Sequence, residues 1–345
     1  MLLHKQLRVC GRCHATDDTL YLGWSGAFAE FLTDSRTLGL RLYSDVPDEK
    51  LHLGRVAVYA GDMNTPLCVH SLREQHTDLH LVLPPSEGEQ PVRVMKWSEN
   101  AFGLVGLEAI ELASGASMHP TPEKAHKVEF IGDSITCGYG VEAPPTDTFS
   151  TATENPSIAY AMLAASELDV DVSLVSWSGI GVLSSWVSAD AAAPNQARLM
   201  QAVYPLQDPH LCEILGAPQM LHDFSADPAD LVVVNLGTND ASWTRGLPDR
   251  EQSFAQAYAG FLADVHSLRP DAAILCVLGT LSQGLCDTAA RVVDALRAEH
   301  PEVRIAFHRL PLQRPEDSTG ADGHPSKITQ ALTARELVPL MRSML

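Results

Sequence analysis

Two textures of hydrophobic patterning divide this chain. Up to about residue 120, apolar positions recur every second residue. Leu38, Leu40 and Leu42 are interleaved with Gly39, Arg41 and Tyr43, and the same alternation runs through Val56, Val58 and Ala60 and through Leu79, Leu81 and Leu83. Val92 to Trp97 continues the β-rich composition. A period of two places alternate side chains on one face of a strand. With Gly, Pro, Asn and Asp breaking the runs at short intervals, residues 1–120 are expected to form a β-sandwich. No amphipathic stretch of helical length occurs there. His119 to His126 carries two prolines and no periodicity, which predicts a linker.

Past the linker the runs become continuous and alternate with helical periods. Val128, Phe130 and Ile131, then Asp171–Trp177, Leu231–Leu236, Ala272–Leu278 and Val303–Phe307, have the length and composition of buried strands. Between them, Ile158, Met162 and Leu163 mark one helix behind Pro156, and Phe254, Tyr258, Phe261, Leu262, Val265 and Leu268 mark another. Asp287–Glu299 and Ile328–Met344 complete the alternation. Residues 121–345 are therefore expected to be an α/β domain with a parallel sheet flanked by helices. The long segment between Val182 and Asp230, rich in Ala, Pro and polar residues, is expected to fold over a site.

Composition narrows the function. At 345 residues the chain is long enough for two cores. A formal net charge of -19 opposes nucleic acid and anionic membrane as partners, since both need clustered Lys and Arg. A neutral small molecule or carbohydrate fits better. No apolar run approaches the ~20 residues that cross a bilayer. The N-terminal residues lack a secretory signal pattern and seven cysteines make an odd number, so a cytoplasmic location is expected, with a trimmed mature form as the alternative.

The candidate chemistry lies at strand ends in the second half. Lys127–Ile131 leads into Gly132-Asp-Ser134, Asp171–Trp177 into Ser178-Gly179, Leu231–Leu236 into Gly237-Thr-Asn239, and Asp322-Gly-His324-Pro-Ser326 precedes the last helix. Carboxyl ends of parallel strands converge on one crevice. A hydroxyl, a backbone amide, a carboxamide and an imidazole brought together there are the parts for acyl transfer. Each motif alone has a plainer reading: Ser134 as a helix cap, Asn239 as turn chemistry, Asp322-Gly-His324-Pro as a turn. Cys137 is read as a small buried residue. Gly138-Tyr-Gly140 fits a loose dinucleotide fingerprint, but Pro144 and Pro145 would break the helix that must follow. Cys10-Gly-Arg-Cys13-His14 matches the c-type haem attachment pattern, yet its flanks read as strand and no second pair stands at zinc-ligand spacing.

Taken in order, Phe130-Ile-Gly-Asp-Ser-Ile-Thr, Asn235-Leu-Gly-Thr-Asn-Asp240 and Asp322-Gly-His-Pro-Ser326 resemble the blocks of SGNH (GDSL-type) hydrolases. The string Gly132-Asp-Ser-Ile-Thr-Cys-Gly-Tyr-Gly140 behind a β domain is similar to carbohydrate esterase family 2, whose members pair a jelly roll with a three-layer α/β/α hydrolase domain. That resemblance implies an acetyl esterase acting on acetylated oligo- or polysaccharides, without metal or cofactor, in which Ser134 is the nucleophile and His324 the general base. It assigns the oxyanion hole to the backbone amides of Ser134 and Gly179 and the side-chain amide of Asn239. One position departs from the pattern. The orienting aspartate expected three residues before the histidine is Ala321, so either Asp322, two before, reaches the imidazole or a backbone carbonyl holds it. Trp243, with Trp177 and Trp186 behind it, is the candidate sugar-stacking residue. A lipase or thioesterase on the same residues and a non-catalytic carbohydrate-binding protein are the rival readings.

Overall fold

The computed structural model describes residues 6–46 and 52–345. These group into two compact units: residues up to Lys124 with Ser150–Glu154 and Gln207–Met220, and Ala125–Phe149 with Asn155–Leu206 and Leu221–Leu345.

The first unit is built on eleven strands, as the period-two pattern predicts. They are β1 (Arg8–Cys10), β2 (Cys13–Ala15), β3 (Leu20–Leu22), β4 (Phe28–Thr33), β5 (Thr37–Tyr43), β6 (Arg55–Ala60), β7 (Cys68–Ser71), β8 (His76–Val82), β9 (Gln90–Lys96), β10 (Gly106–Leu112) and β11 (His119–Pro120). One sheet has the order β1-β4-β9-β6-β7 with β11 also on β4, and the other β2-β3-β10-β5-β8. All these pairings are antiparallel. Leu38, Leu40 and Leu42 of β5 and Val56, Val58 and Ala60 of β6 point into one shared core, which is why they alternate. Cys10, Cys13 and His14 lie in strands β1 and β2. The expected linker differs from its prediction at its start, because His119 and Pro120 pair with Leu32 and Phe31.

The second unit carries a five-stranded parallel sheet: β12 (Lys127–Gly132), β13 (Asp171–Ser176), β14 (Leu231–Asn235), β15 (Ala273–Leu278) and β16 (Ile305–Arg309), in the order β13-β12-β14-β15-β16. Every residue of β14 and β15 is buried, so the sheet is covered on both faces. The chain's helices are α1 (Ser134–Cys137), α2 (Tyr160–Leu168), α3 (Met200–Val203), α4 (Pro209–Leu215), α5 (Thr238–Thr244), α6 (Pro248–Leu268), α7 (Cys286–Glu299) and α8 (Lys327–Met344), all but α4 in this unit. Helix α2 packs on α8, and α6 on α5 and α7. The strand order reverses direction at β12, with β13 on one side and β14 on the other. That reversal opens a crevice beyond the carboxyl ends of β12 and β14, where Gly132 pairs with Asn235.

The segment between Val182 and Asp230 does not behave as one cover. Its Gln207–Met220 portion groups with the first unit, where Trp24 Nε1 donates to the Gln207 carbonyl at 2.8 Å, Gln207 Nε2 to the Cys13 carbonyl at 2.6 Å, and Asn100 Nδ2 to Asp208 Oδ1 at 2.8 Å.

Candidate active site

Strand β12 ends at Gly132, and Asp133 caps the single turn of α1 by accepting the Ile135 N–H at 3.0 Å. Capping therefore falls to Asp133, which leaves the neighbouring hydroxyl of Ser134 for another partner. Ser134 Oγ lies 2.9 Å from His324 Nε2, although the two residues are 190 positions apart. His324 is placed from the other side by α8, whose N-cap Ser326 accepts the Thr329 N–H and donates to the Asp317 carbonyl. Gln330 on α8 reaches back to the Ile135 carbonyl at 2.9 Å, tying the two motifs together.

The partners of the imidazole fix its tautomer. His324 Nδ1 faces the Ala321 carbonyl at 3.2 Å, and a carbonyl only accepts. Nδ1 therefore carries the proton and Nε2 presents its lone pair to the Ser134 hydroxyl. Burial pushes the imidazole below its ordinary value; the Ala321 carbonyl and the negative charge of Asp322 oppose that shift. The ring is accordingly neutral, a proton acceptor, at pH 7.

Asn239, at the start of α5, joins the two other strand ends. Its Nδ2 donates to the Ile180 carbonyl at 2.8 Å and to Asp133 Oδ2 at 3.2 Å, thereby linking the neighbour of Gly179 to the neighbour of Ser134. Gly179 has φ +78, and a Cβ there would approach nothing closer than Trp186 Cβ at 4.0 Å. The backbone conformation, not crowding, demands glycine at that turn. Ser134, His324, Gly179 and Asn239 thus belong to one neighbourhood at the strand ends.

Residues 130–334 match the model of the GDSL-like lipase/acylhydrolase family. The chain belongs to that family.

Among relatives of this GDSL-like acylhydrolase, cellulase/esterase CelE of Acetivibrio thermocellus is 30% identical over 285 residues, covering 81% of this chain and only 33% of CelE. An acetylxylan esterase / glucomannan deacetylase of Cellvibrio japonicus is 28% identical over 345 residues, covering 98% of this chain and 89% of the relative. Among solved structures, a family two carbohydrate esterase from Clostridium thermocellum in complex with cellohexaose superposes with a TM-score of 0.84 at 26% identity, covering 98% of both chains. The resemblance to carbohydrate esterase family 2 seen in the motifs is thus shared by the relatives and the fold.

The geometry decides between the two alternatives left open for the histidine's support and places one expected residue, Trp243, elsewhere. The Asp322 carboxylate does not reach the imidazole: its Oδ2 accepts the Tyr139 hydroxyl at 2.9 Å and the Phe149 N–H at 3.0 Å. A left-handed backbone at Asp322, φ 50 and ψ 30, turns the side chain that way and leaves the histidine to the Ala321 carbonyl. Trp243 is 9% exposed and has the Arg250 guanidinium 3.7 Å over its ring, so that face is not open to a sugar. Trp186 is 61% exposed and, with Trp177, Gly179 and Arg198, lines a cavity of about 300 Å³.

Two further residues lie inside the motifs but had no role assigned to them there. Asp240 accepts the N–H groups of Val182, Leu183 and Ser184 at 2.6–3.1 Å on Oδ1, holding the turn after Gly179, and burial pushes its carboxyl up to about 6. Tyr139 lies with its ring centroid 4.1 Å from that of His324. The signal for Asp240 was its place directly after Asn239. The signal for Tyr139 was its place between Gly138 and Gly140, five residues after Ser134.

Proposed function

We propose that this protein is a serine esterase that removes O-acetyl groups from carbohydrates through an acyl-enzyme. The observation that carries the reading is the Ser134–His324 hydrogen bond with the lone pair of Nε2 directed at the hydroxyl. As Ser134 Oγ attacks the acetyl carbonyl carbon, its proton passes to Nε2 and the carbonyl π electrons move onto oxygen. The backbone N–H groups of Ser134 and Gly179 and the Asn239 amide receive that oxyanion, Asn239 sharing an N–H now held by Ile180 or Asp133. Collapse expels the sugar alkoxide, which takes the proton from His324. Water then attacks the acetyl-serine, giving its proton to His324. Collapse breaks the bond to Ser134 Oγ, which takes that proton back as acetic acid leaves and ionises to acetate.

The substrate class rests on the relatives, which act as acetylxylan esterase / glucomannan deacetylase or are seen with cellohexaose. In the cavity beside Gly179, Trp186 offers aromatic surface to a pyranose ring, while Trp177 has the Arg198 guanidinium 4.1 Å over its ring. Acetylated xylo-, manno- or gluco-type oligo- and polysaccharides are the substrates, and the two antiparallel sheets of the first unit are read as a jelly roll.

Acetate release from acetylated xylo- and manno-oligosaccharides tests this. Ser134→Ala is expected to lower kcat by about 10³-fold or more with the fold intact. Equal release by the variant and the wild type would remove the proposal. Faster turnover of an octanoyl than of an acetyl nitrophenyl ester would favour a lipase or thioesterase instead.

A further inference from the structure

The esterase reading assigns His324 a base's role but leaves open what steadies the ring and its growing charge. A carboxylate at position 321 would be the usual agent, and alanine stands there. Its Cβ lies 2.4 Å from where a Cβ on Gly140 would be, so the 321 side chain faces the Gly138-Tyr-Gly140 turn rather than the imidazole. The Ala321 N–H also bonds the Gly140 carbonyl at 3.1 Å. The histidine loop and this turn are docked backbone to backbone.

That docking lays Tyr139 against the imidazole. The Tyr139 and His324 centroids are 4.1 Å apart with 31° between planes, and Phe149 stacks on Tyr139 at 3.9 Å and 14°. Two rings so close and so nearly parallel to a third cannot share one of its faces, so Phe149, Tyr139 and His324 form a single stack. Asp322 fastens two of its three members: one carboxylate oxygen accepts the hydroxyl of the middle ring, Tyr139, and the Phe149 N–H. Its backbone sits in the left-handed region at φ 50, uncommon for a residue other than glycine but one that aspartate tolerates better than most.

We propose that Tyr139 is the positioning residue for His324, and that Asp322, which makes its hydrogen bonds to Tyr139 and Phe149 and not to the imidazole, holds Tyr139 in place. This deepens the esterase reading and rests on it. The flat phenol restricts rotation of the imidazole about its long axis, keeping Nε2 on Ser134 and Nδ1 on the Ala321 carbonyl. When His324 takes the Ser134 proton, the new positive charge forms over an aromatic face whose hydroxyl is bonded to a carboxylate. Tyr139 keeps its own proton throughout, held on Asp322, so it neither donates nor accepts in the reaction.

The test is the pH dependence of kcat and kcat/KM on acetylated xylo-oligosaccharide for wild type, Tyr139→Phe, Tyr139→Leu, Asp322→Asn and Ser134→Ala, each with a melting curve. Tyr139→Phe retains the stack and loses its tie to Asp322, so kcat is expected to fall about 3- to 10-fold with KM within about twofold. Tyr139→Leu removes the aromatic face and is expected to lose about 30-fold or more. Asp322→Asn keeps the accepting oxygen and removes the charge that favours the imidazolium, moving the acid limb of kcat/KM to lower pH. A purely structural role would lower the folded fraction without moving that limb. Wild-type kcat in Tyr139→Leu, or losses in all variants explained entirely by unfolding with an unmoved limb, would overturn the proposal. Acetate release surviving in Ser134→Ala would instead overturn the esterase reading beneath it.

Discussion

At residue 321 the chain has an alanine where hydrolases of this type commonly carry the histidine's acid, and the local geometry says why a simple reversion would fail. The Ala321 carbonyl already sets the tautomer of His324, and the Ala321 side chain is fully buried against Gly140. Ala321→Asp would push a carboxylate into that contact, away from the imidazole, and leave it buried without a partner. The expected outcome is lower kcat and a stability lower by about 1–3 kcal/mol. A variant with raised kcat and an acid limb moved to higher pH would show the new carboxylate reaching Nδ1. In the unaltered protein, burial holds His324 below its ordinary 6.5, so the acid limb of activity is expected at lower pH than an exposed imidazole would give. Ser134 and His324 were legible in the sequence because strand ends announce themselves by composition. The direction of Asp322 was not, since it depends on a left-handed backbone that side-chain identities do not encode. Exposure of Trp243 was equally hidden, because Arg250 covers it from the first turns of the next helix.

Among the elements, the turn after β13 is the one whose order the site needs, and it has no secondary structure of its own to hold it. Asp240 at the start of α5 supplies that hold through three backbone N–H groups. Asp240→Ala would orphan them in a buried site at ~1–3 kcal/mol for each group that water cannot reach. Reduced stability in denaturant titration and a drop in kcat larger than the change in KM are expected. Asp240→Asn retains an accepting oxygen and should keep most of both; equal damage from the two variants would mean that charge, not acceptance, orders the turn. The folded carboxyl near 6 lies above its ordinary 3.8, so its contribution to stability is fully present below about 4 and fades as pH rises through 6. Hydrophobic periods had located β13 and β14 to within a residue, whereas the short helix α5 carries no apolar period and was not foreseen. The interaction between the turn and α5 links positions 56 to 58 apart, and no local period carries that.

Across the whole molecule, a formal charge of -19 means that removing any carboxylate relieves some general repulsion. A test of one buried acid must therefore be separated from that background, and Glu154 in the first unit allows it. Its side chain is fully buried, its Oε2 accepts the Glu99 N–H at 3.1 Å, and the two carboxyl groups have oxygens within 4.8 Å of each other. Desolvation first, and the charge of Glu99 second, raise the Glu154 carboxyl well above its ordinary 4.5, while Lys96 and Arg55 oppose the shift. A folded-state value above the unfolded one means that the folded protein binds the proton more tightly. That contribution to stability is fully present below about 4.5 and is lost as pH rises through the elevated value. Glu154→Gln keeps the shape of the protonated acid and removes the ionisation. Stability against unfolding is therefore expected to rise at pH 8, by at most ~1.4 kcal/mol for each unit of elevation, and the gain should shrink towards pH 4.5. Relief of general repulsion would give a similar gain at all pH values where surface carboxylates are ionised, such as 6 and 8. A loss of stability at pH 8 would show that Glu154 is ionised there and held by Lys96 and Arg55, contrary to the sign derived from its burial.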